Sequence, residues 1–285
     1  MALLIPTELV IEIFRHAAAQ FVAEDRPTVV HVAQASKMAY KVVAPVLYRT
    51  LWITVRNFPA VQRCAALSSF QRICGRVRHL IMFYSDHQRE IPLDLFTSVE
   101  SVTAYREVLE RLSPVCSSLR MAHVWTSDLD DARESLPMTL RQNITHLAGD
   151  VSYSDSYISN TSLWLNGITQ DFTGLTHLAF EVVHLPHEAD FVMAAFEALL
   201  RVALIDDKLQ RVVLRIAGAC CAREAELEQV VYQISDARLR IWCDKRPIRN
   251  WSDDEELTIE DALHQRDIWT KAVPTSLLVP DIASA

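Results

Sequence analysis

Apolar residues recur at i, i+4 spacing near the start of the chain: Leu9, Ile13, Ala17 and Phe21, with Val10 and Phe14 widening the same face. That spacing predicts an amphipathic helix over residues 6–23. Pro6 suits its first turn, where the missing N–H has no intrahelical partner, and Glu8 complements the positive end of the helix dipole. Pro27 disfavours helix in the residue before it and ends the element. A second helix is expected over 28–35, on Val29, Val32 and Ala33, and a third over 36–43. Residues 45–51 then lead into an extended apolar segment, Leu51-Trp52-Ile53-Thr54-Val55. Residues 1–55 thus make a helical unit of about three helices, small for independent stability and expected to pack on the rest of the chain.

Downstream the pattern changes. Short pieces of the form apolar-x-x-apolar-x-apolar appear at Val77-Arg78-His79-Leu80-Ile81-Met82, Leu119-Arg120-Met121-Ala122-His123-Val124 and Ile144-Thr145-His146-Leu147-Ala148-Gly149. Two more are Leu175-Thr176-His177-Leu178-Ala179-Phe180 and Leu209-Gln210-Arg211-Val212-Val213-Leu214, with a weaker one at Leu239-Arg240-Ile241-Trp242. Helical stripes are expected between them, over 102–112, 191–204 and 222–234. Strand-then-helix alternation around a recurring L-x-x-L-x-L core resembles leucine-rich repeats, at irregular spacing. In that arrangement each strand stacks in parallel beside the next, in chain order, because one unit cannot bury its own apolar face. An ordinary α/β domain is the alternative. The expected fold class is therefore α/β, a three-helix unit over 1–55 followed by an irregular parallel-stranded solenoid over 56–250. Residues 251–285 are expected to hold an acidic segment, a helix over 259–273 and a frayed tail from Pro274.

Composition narrows the function. Of 285 residues half are hydrophobic and 22% charged, the balance of a folded chain rather than a disordered one. The net charge of −8 argues against nucleic acid as a partner, since that would call for a basic face. No apolar run approaches the roughly 18 residues that cross a bilayer, and the apolar start lacks the basic flank of a signal peptide. A cytoplasmic or nuclear protein with no membrane partner is expected. The six cysteines, at 64, 74, 116, 220, 221 and 243, form no C-x-x-C pair, so paired zinc ligands are missing; they read as reduced, mostly buried hydrophobes. The five glycines permit none of G-x-G-x-x-G, G-x-x-x-x-G-K or G-x-S-x-G, which excludes glycine-built phosphate cradles and nucleophile elbows in their usual forms. No cofactor and no metal is expected.

A family resemblance rests on three pieces in order. Leu4-Ile5-Pro6-Thr7-Glu8-Leu9, then Ile13-Phe14, resembles the opening of an F-box. Val32-Ala33-Gln34-Ala35-Ser36-Lys37 is similar to its middle helix, and Ala44-Pro45-Val46-Leu47-Tyr48-Arg49-Thr50-Leu51 resembles the exit segment common in fungal F-box proteins. The resemblance covers about the first 50 residues. It implies a non-catalytic substrate-recognition subunit of a Skp–cullin–F-box ubiquitin ligase, acting in ubiquitin-dependent protein degradation. The F-box would dock the Skp-family adaptor, linked to the cullin scaffold, and the solenoid would present a target protein. Carried over position by position, the adaptor-binding candidates are Leu4, Pro6, Leu9, Ile13, Leu47 and Tyr48. Two other functions stay open: a protein-interaction scaffold with a vestigial F-box, and an α/β enzyme with its site at the carboxyl ends of the strands.

Histidines supply the remaining candidates. His79, His146 and His177 stand just before the second apolar position of their strands, so a parallel stack aligns them on one face. In the same register His79, Arg120, His146, His177 and Arg211 point away from the core and become candidate target-binding residues, suited to an acidic partner. His184-Leu185-Pro186-His187-Glu188 reads as a loop because of Pro186. Ser154-Asp155-Ser156-Tyr157 and Asp253-Asp254-Glu255-Glu256 read as solvated segments. A Ser/His/Asp set cannot be assigned from spacing, since triads are recognised by geometry.

Overall fold

The computed structural model describes residues 6–22, 25–83, 92–112, 114–125, 136–150, 165, 167–182, 189–217, 224–246, 248, 254, 257–261 and 268–274. Three helices come first, α1 (Thr7–Phe21), α2 (Arg26–Ala35) and α3 (Lys37–Leu47). The Asp25 carboxylate caps α2 by accepting from the Thr28 N–H at 3.2 Å, and the Ser36 hydroxyl caps α3 through the Ala39 N–H at 3.0 Å. Each cap satisfies a donor that the helix itself leaves open. The Asp25 cap starts α2 two residues before the expected Thr28, with Pro27 in the first turn where no N–H is needed. At the other end α3 continues through Pro45, past the expected stop at 43. Pro45 lies in the last turn, so its missing N–H removes a single intrahelical bond. The helices close on Ala18, Val22, Val29, Ala33, Val43 and Leu47.

Eight strands follow: β1 (Thr50–Thr54), β2 (His79–Phe83), β3 (Ser101–Ala104), β4 (Met121–Val124), β5 (His146–Asp150), β6 (His177–Val182), β7 (Arg211–Ala217) and β8 (Leu239–Asp244). Each pairs in parallel with the next, in chain order. The α/β class and the ordered parallel stack stand as expected. A two-residue β9 (Val273–Pro274) then lies antiparallel to β8.

Three expectations change. The stretch 102–112 is not one helix but β3, a turn at Tyr105, and a helix over Arg106–Leu112. Val102, Tyr105, Val108, Leu109 and Leu112 keep helical spacing across both elements, so the strand hides inside a helix-like pattern. The boundary at 55 assigns β1 to the helical unit, whereas β1 is the first strand of the sheet. The helix expected over 259–273 stops short of 273: among the described residues 257–261 and Ile268–Lys271 are helical, and Pro274 pairs with Arg240 rather than fraying.

Strand alternation divides the side chains between two faces. Leu80 and Met82, Val102 and Ala104, Leu178 and Phe180, Val212 and Leu214 point to the helical side, where they pack with Leu109, Leu112, Leu200 and Val231. Each such valine, leucine, methionine or phenylalanine contributes about 1.5–3 kcal/mol by leaving water, and all of them share one continuous core, so the units stabilise one another. The other face carries parallel rows. One runs Thr50, His79, Ser101, Met121, His146, His177, Arg211.

The turn before β6 is packed tightly on the preceding unit. A Cβ on Gly174 would come within 2.7 Å of the Gln142 carbonyl oxygen and 3.3 Å of that of Ile144. Gly174→Ala must push two backbones apart and is expected to cost about 1–3 kcal/mol, read as a lower urea midpoint. An unchanged midpoint would mean that this contact yields freely.

Candidate functional site

The chain returns over the face of the sheet opposite the helices. Ala148, Ala179 and Val213 stand side by side in the second row of β5, β6 and β7, and their small side chains leave a trough. Ile268 and Trp269 fill it and are nearly buried there, with Met121, Trp242 and Ala272 around them. The rings of His146 and His177 stack on adjacent strands at 4.0 Å, and Trp269 meets both edge-on, at 5.1 and 5.7 Å. Arg211 closes the row by donating to the Trp269 carbonyl oxygen at 2.7 Å.

Both stacked histidines follow a threonine. Thr145 Oγ1 donates to the Arg120 carbonyl and Thr176 Oγ1 to the Thr145 carbonyl, each at 3.2 Å. Their oxygens then face His146 Nδ1 at 2.9 Å and His177 Nδ1 at 2.8 Å. Each hydroxyl thus joins its imidazole to a backbone carbonyl of the preceding strand entry.

Beyond the trough lies a buried ionic network. Arg215 binds Glu181 at 2.5 Å, Asp254 at 2.8 Å and Asp244 at 3.1 Å, and all four side chains are at most 4% exposed. Arg246 joins Asp244 at 2.6 Å to Asp261 at 2.7 Å, and Lys271 reaches Asp261 at 2.6 Å. The Trp242 ring lies beneath three of these cations, Lys271 at 4.4 Å, Arg215 at 4.8 Å and Arg246 at 5.6 Å. His123 Nε2 stands 3.1 Å from Glu181, off the line of a hydrogen bond. Burial holds the Asp254 carboxyl above its usual range. Asp244, despite its burial, stays below that range because Arg246 and Arg215 face it.

Upstream the same face remains open beneath the helical unit. A cavity of about 910 Å³ lies between α1, α3, the sheet and the returning segment. Arg26 marks the joint: it donates to the Leu47 carbonyl at 2.9 Å, and its guanidinium lies over the Trp52 ring at 4.2 Å. At about 100° per residue, α1 presents three faces. Ala18 and Phe14 enter the helical core, Ile11 and Arg15 line the cavity, and Leu9 and Ile13 point to solvent, 55% and 57% exposed.

The adaptor-binding candidates therefore separate. Leu4 lies outside the described residues. Pro6, Leu9 and Ile13 are exposed together on α1, Tyr48 is half-buried, and Leu47 is buried in the helical core. A core position removes Leu47 from direct contact, a distinction that apolar patterning cannot make. The target-binding candidates do not form one open surface. His79 is half-buried and lines the cavity. His146, His177 and Arg211 are engaged by the Trp269 segment. Arg120 alone is exposed, and its guanidinium donates to the Ser117 and Leu119 carbonyls. The sequence offers no sign that the chain would cover its own sheet. Asp254, read as part of a solvated segment, is 1% exposed because it partners Arg215. Residues 154–157 and 184–188 lie outside the described residues.

Two buried cysteines, Cys74 and Cys116, are chemically quiet. Burial pushes the Cys74 thiol up to about 12 and the Cys116 thiol up to about 11. Among the described residues no group of three His, Cys, Asp or Glu side chains could hold a metal ion, and no helix is long and apolar enough to cross a membrane. The chain matches no protein-family model, and no curated protein resembles it closely enough to count as a relative.

The stacked histidines make the returning segment sensitive to acid. Burial, then the neighbouring His177 and Arg211, push the His146 ring down to about 4, and burial also lowers His177. In the unfolded chain these rings take a proton near pH 6.5. Their contribution is therefore whole above about pH 6.5 and is lost as the pH falls toward 4. The melting temperature should drop between pH 7 and pH 4.5, and His146→Gln should flatten that drop. Equal slopes for both proteins would assign the acid sensitivity to the carboxylates instead.

Proposed function

We propose that this chain is the substrate-recognition subunit of a Skp–cullin–F-box type ubiquitin ligase, with residues 1–50 as the F-box and the parallel-stranded stack as a degenerate leucine-rich-repeat solenoid. The observation that carries the reading is the exposed apolar stripe on α1. Leu9 and Ile13 are i, i+4 neighbours on a helix whose core face is already occupied, and Phe21, Met38 and Tyr40 add exposed apolar surface on the same small unit. A folded protein does not gather such residues on one short unit without use, because an exposed apolar patch invites association. Leu9 and Ile13 are among the residues that the F-box resemblance nominates for the adaptor. The ordered parallel stack supports the solenoid half of the reading, since strand-by-strand addition in chain order is how repeat proteins grow.

In this role the chain does no bond chemistry. It holds a target beside the ubiquitin-conjugating enzyme, and proximity alone raises the effective concentration of the reacting groups. The helical unit is fastened to the sheet through Arg26, Leu47 and Trp52, so a target held by the sheet keeps a fixed relation to the adaptor.

The test is binding of a purified Skp-family adaptor by titration calorimetry. The native chain should bind one to one. Leu9→Asp combined with Ile13→Asp should weaken binding by a factor of about 100 or more, as for buried interface anchors, with unchanged helix content because both positions face solvent. Pro6→Ala should weaken it less. A native chain that binds no Skp-family adaptor, or a double variant that binds equally well, sinks the ligase reading.

A further inference from the structure

The cavity beneath the helical unit has a charge pattern that adaptor binding does not use. Two carboxylates line it, Glu181 and Asp261. Both are already matched, Glu181 by Arg215 and Asp261 by Arg246 and Lys271. The cations at the opposite end are not matched. Arg15 has an exposed partner in Glu12, but Arg26, Lys41 and Arg49 form no ion pair among the described residues. Arg26 is the telling member. Its Nη2 is held by the Leu47 carbonyl and its plane by the Trp52 ring, but its Nη1 has no hydrogen-bond partner, and burial lowers its pKa with no carboxylate beside it to offset the loss of water. A buried guanidinium nitrogen without an acceptor is costly, and among the described residues no acidic side chain pairs with Arg26, on a chain whose net charge is −8.

Size and lining define what would fit. A volume of about 910 Å³ falls within the range of about 300–1,000 Å³ typical of small-molecule sites. Between its charged groups the cavity is lined by apolar side chains, among them Ile81, Met121 and Trp269, beside the polar Thr50, Ser101, Thr103 and His123. A bare inorganic anion would leave these walls wetted and unused, and an apolar molecule without charge would leave Arg26 unanswered.

We propose that this cavity binds a small organic anion, its acidic group held by Arg26, Lys41 and Arg49 and its apolar body against Ile81, Met121 and Trp269. The returning segment contributes one wall, so the ligand ties the helical unit, the sheet and the segment together and stabilises all three by mass action. The proposal does not rest on the ligase reading, because the stripe of Leu9 and Ile13 lies on another face of α1.

Naphthalene-2-sulfonate and its neutral counterpart naphthalene-2-sulfonamide separate the charge from the apolar body, and inorganic phosphate supplies charge alone. Titration calorimetry on the full chain should show saturable one-to-one binding of the sulfonate below about 1 mM. The sulfonamide and phosphate should each bind at least about tenfold more weakly. Lys41→Gln combined with Arg49→Gln, both exposed in the free protein, should weaken the sulfonate about tenfold and leave the sulfonamide unchanged, with the melting temperature of the free protein preserved. The Leu9→Asp, Ile13→Asp variant should bind the sulfonate as the native chain does, whatever its behaviour toward the adaptor. Equal affinity for sulfonate and sulfonamide, phosphate as tight as the sulfonate, indifference to the loss of Lys41 and Arg49, or no saturable binding would each overturn the proposal.

Discussion

Arg215 stands on β7 with its guanidinium removed from solvent, and much of the architecture on that side of the sheet is a consequence of this placement. A guanidinium does not shed its proton when buried, so carboxylates must be brought to it. Glu181 comes from β6 and Asp244 from β8, both within reach because parallel strands stand about 4.8 Å apart. The third, Asp254, comes from beyond the sheet and requires the chain to turn back across the open face. Once it does so, Ile268 and Trp269 meet the row of Ala148, Ala179 and Val213, where small side chains leave room for an indole. Had that row carried leucines, the segment would have stood off and the stacked histidines would have remained in solvent.

The network is better understood as a device of placement than as a reserve of stability. Desolvating an ion pair offsets much of its Coulomb gain, whereas breaking one buried partner leaves an uncompensated charge. Three cations, Arg215, Arg246 and Lys271, face four carboxylates, Glu181, Asp244, Asp254 and Asp261. Burial holds the Asp254 carboxyl above its usual range, and its Oδ2 is buried without a partner. Any other docking of the segment would strand at least one of these charges, so the pairs specify a single seating for it.

The repeating part of this fold was legible because its physics is local. Apolar positions two apart in Leu178 and Phe180, or Val212 and Leu214, state both the strand and the face it buries, and the intervals between strands are long enough for parallel crossovers. The histidine row was legible for the same reason. What escaped depended on pairing across distance. β3 was lost because the spacing from Val102 to Leu112 suits a helix. Leu47 and Leu9 are the same residue type, yet one closes the helical core and the other faces solvent, and only the packing of α1 on α3 separates them. Glu181 and Arg215 could have been found by extending the register four residues past His177 and Arg211, since i and i+4 share a face of a strand. The missing signal was Asp254: an acidic run of four reads as solvated until the buried cation that needs one of its members is known.

The helical unit gains its meaning from the sheet in the same way. A 15-residue α1 is too short to be stable alone, and only part of its surface is used to hold α2 and α3. Arg15 and Ile11 face the sheet across the cavity, while Leu9 and Ile13 face outward. Because one rigid helix carries both faces, whatever fills the cavity bears on the element that displays the apolar stripe. A ligand in the cavity that touched Ile11 and Arg15 as well as the sheet would therefore restrict the tilt of α1 relative to the sheet.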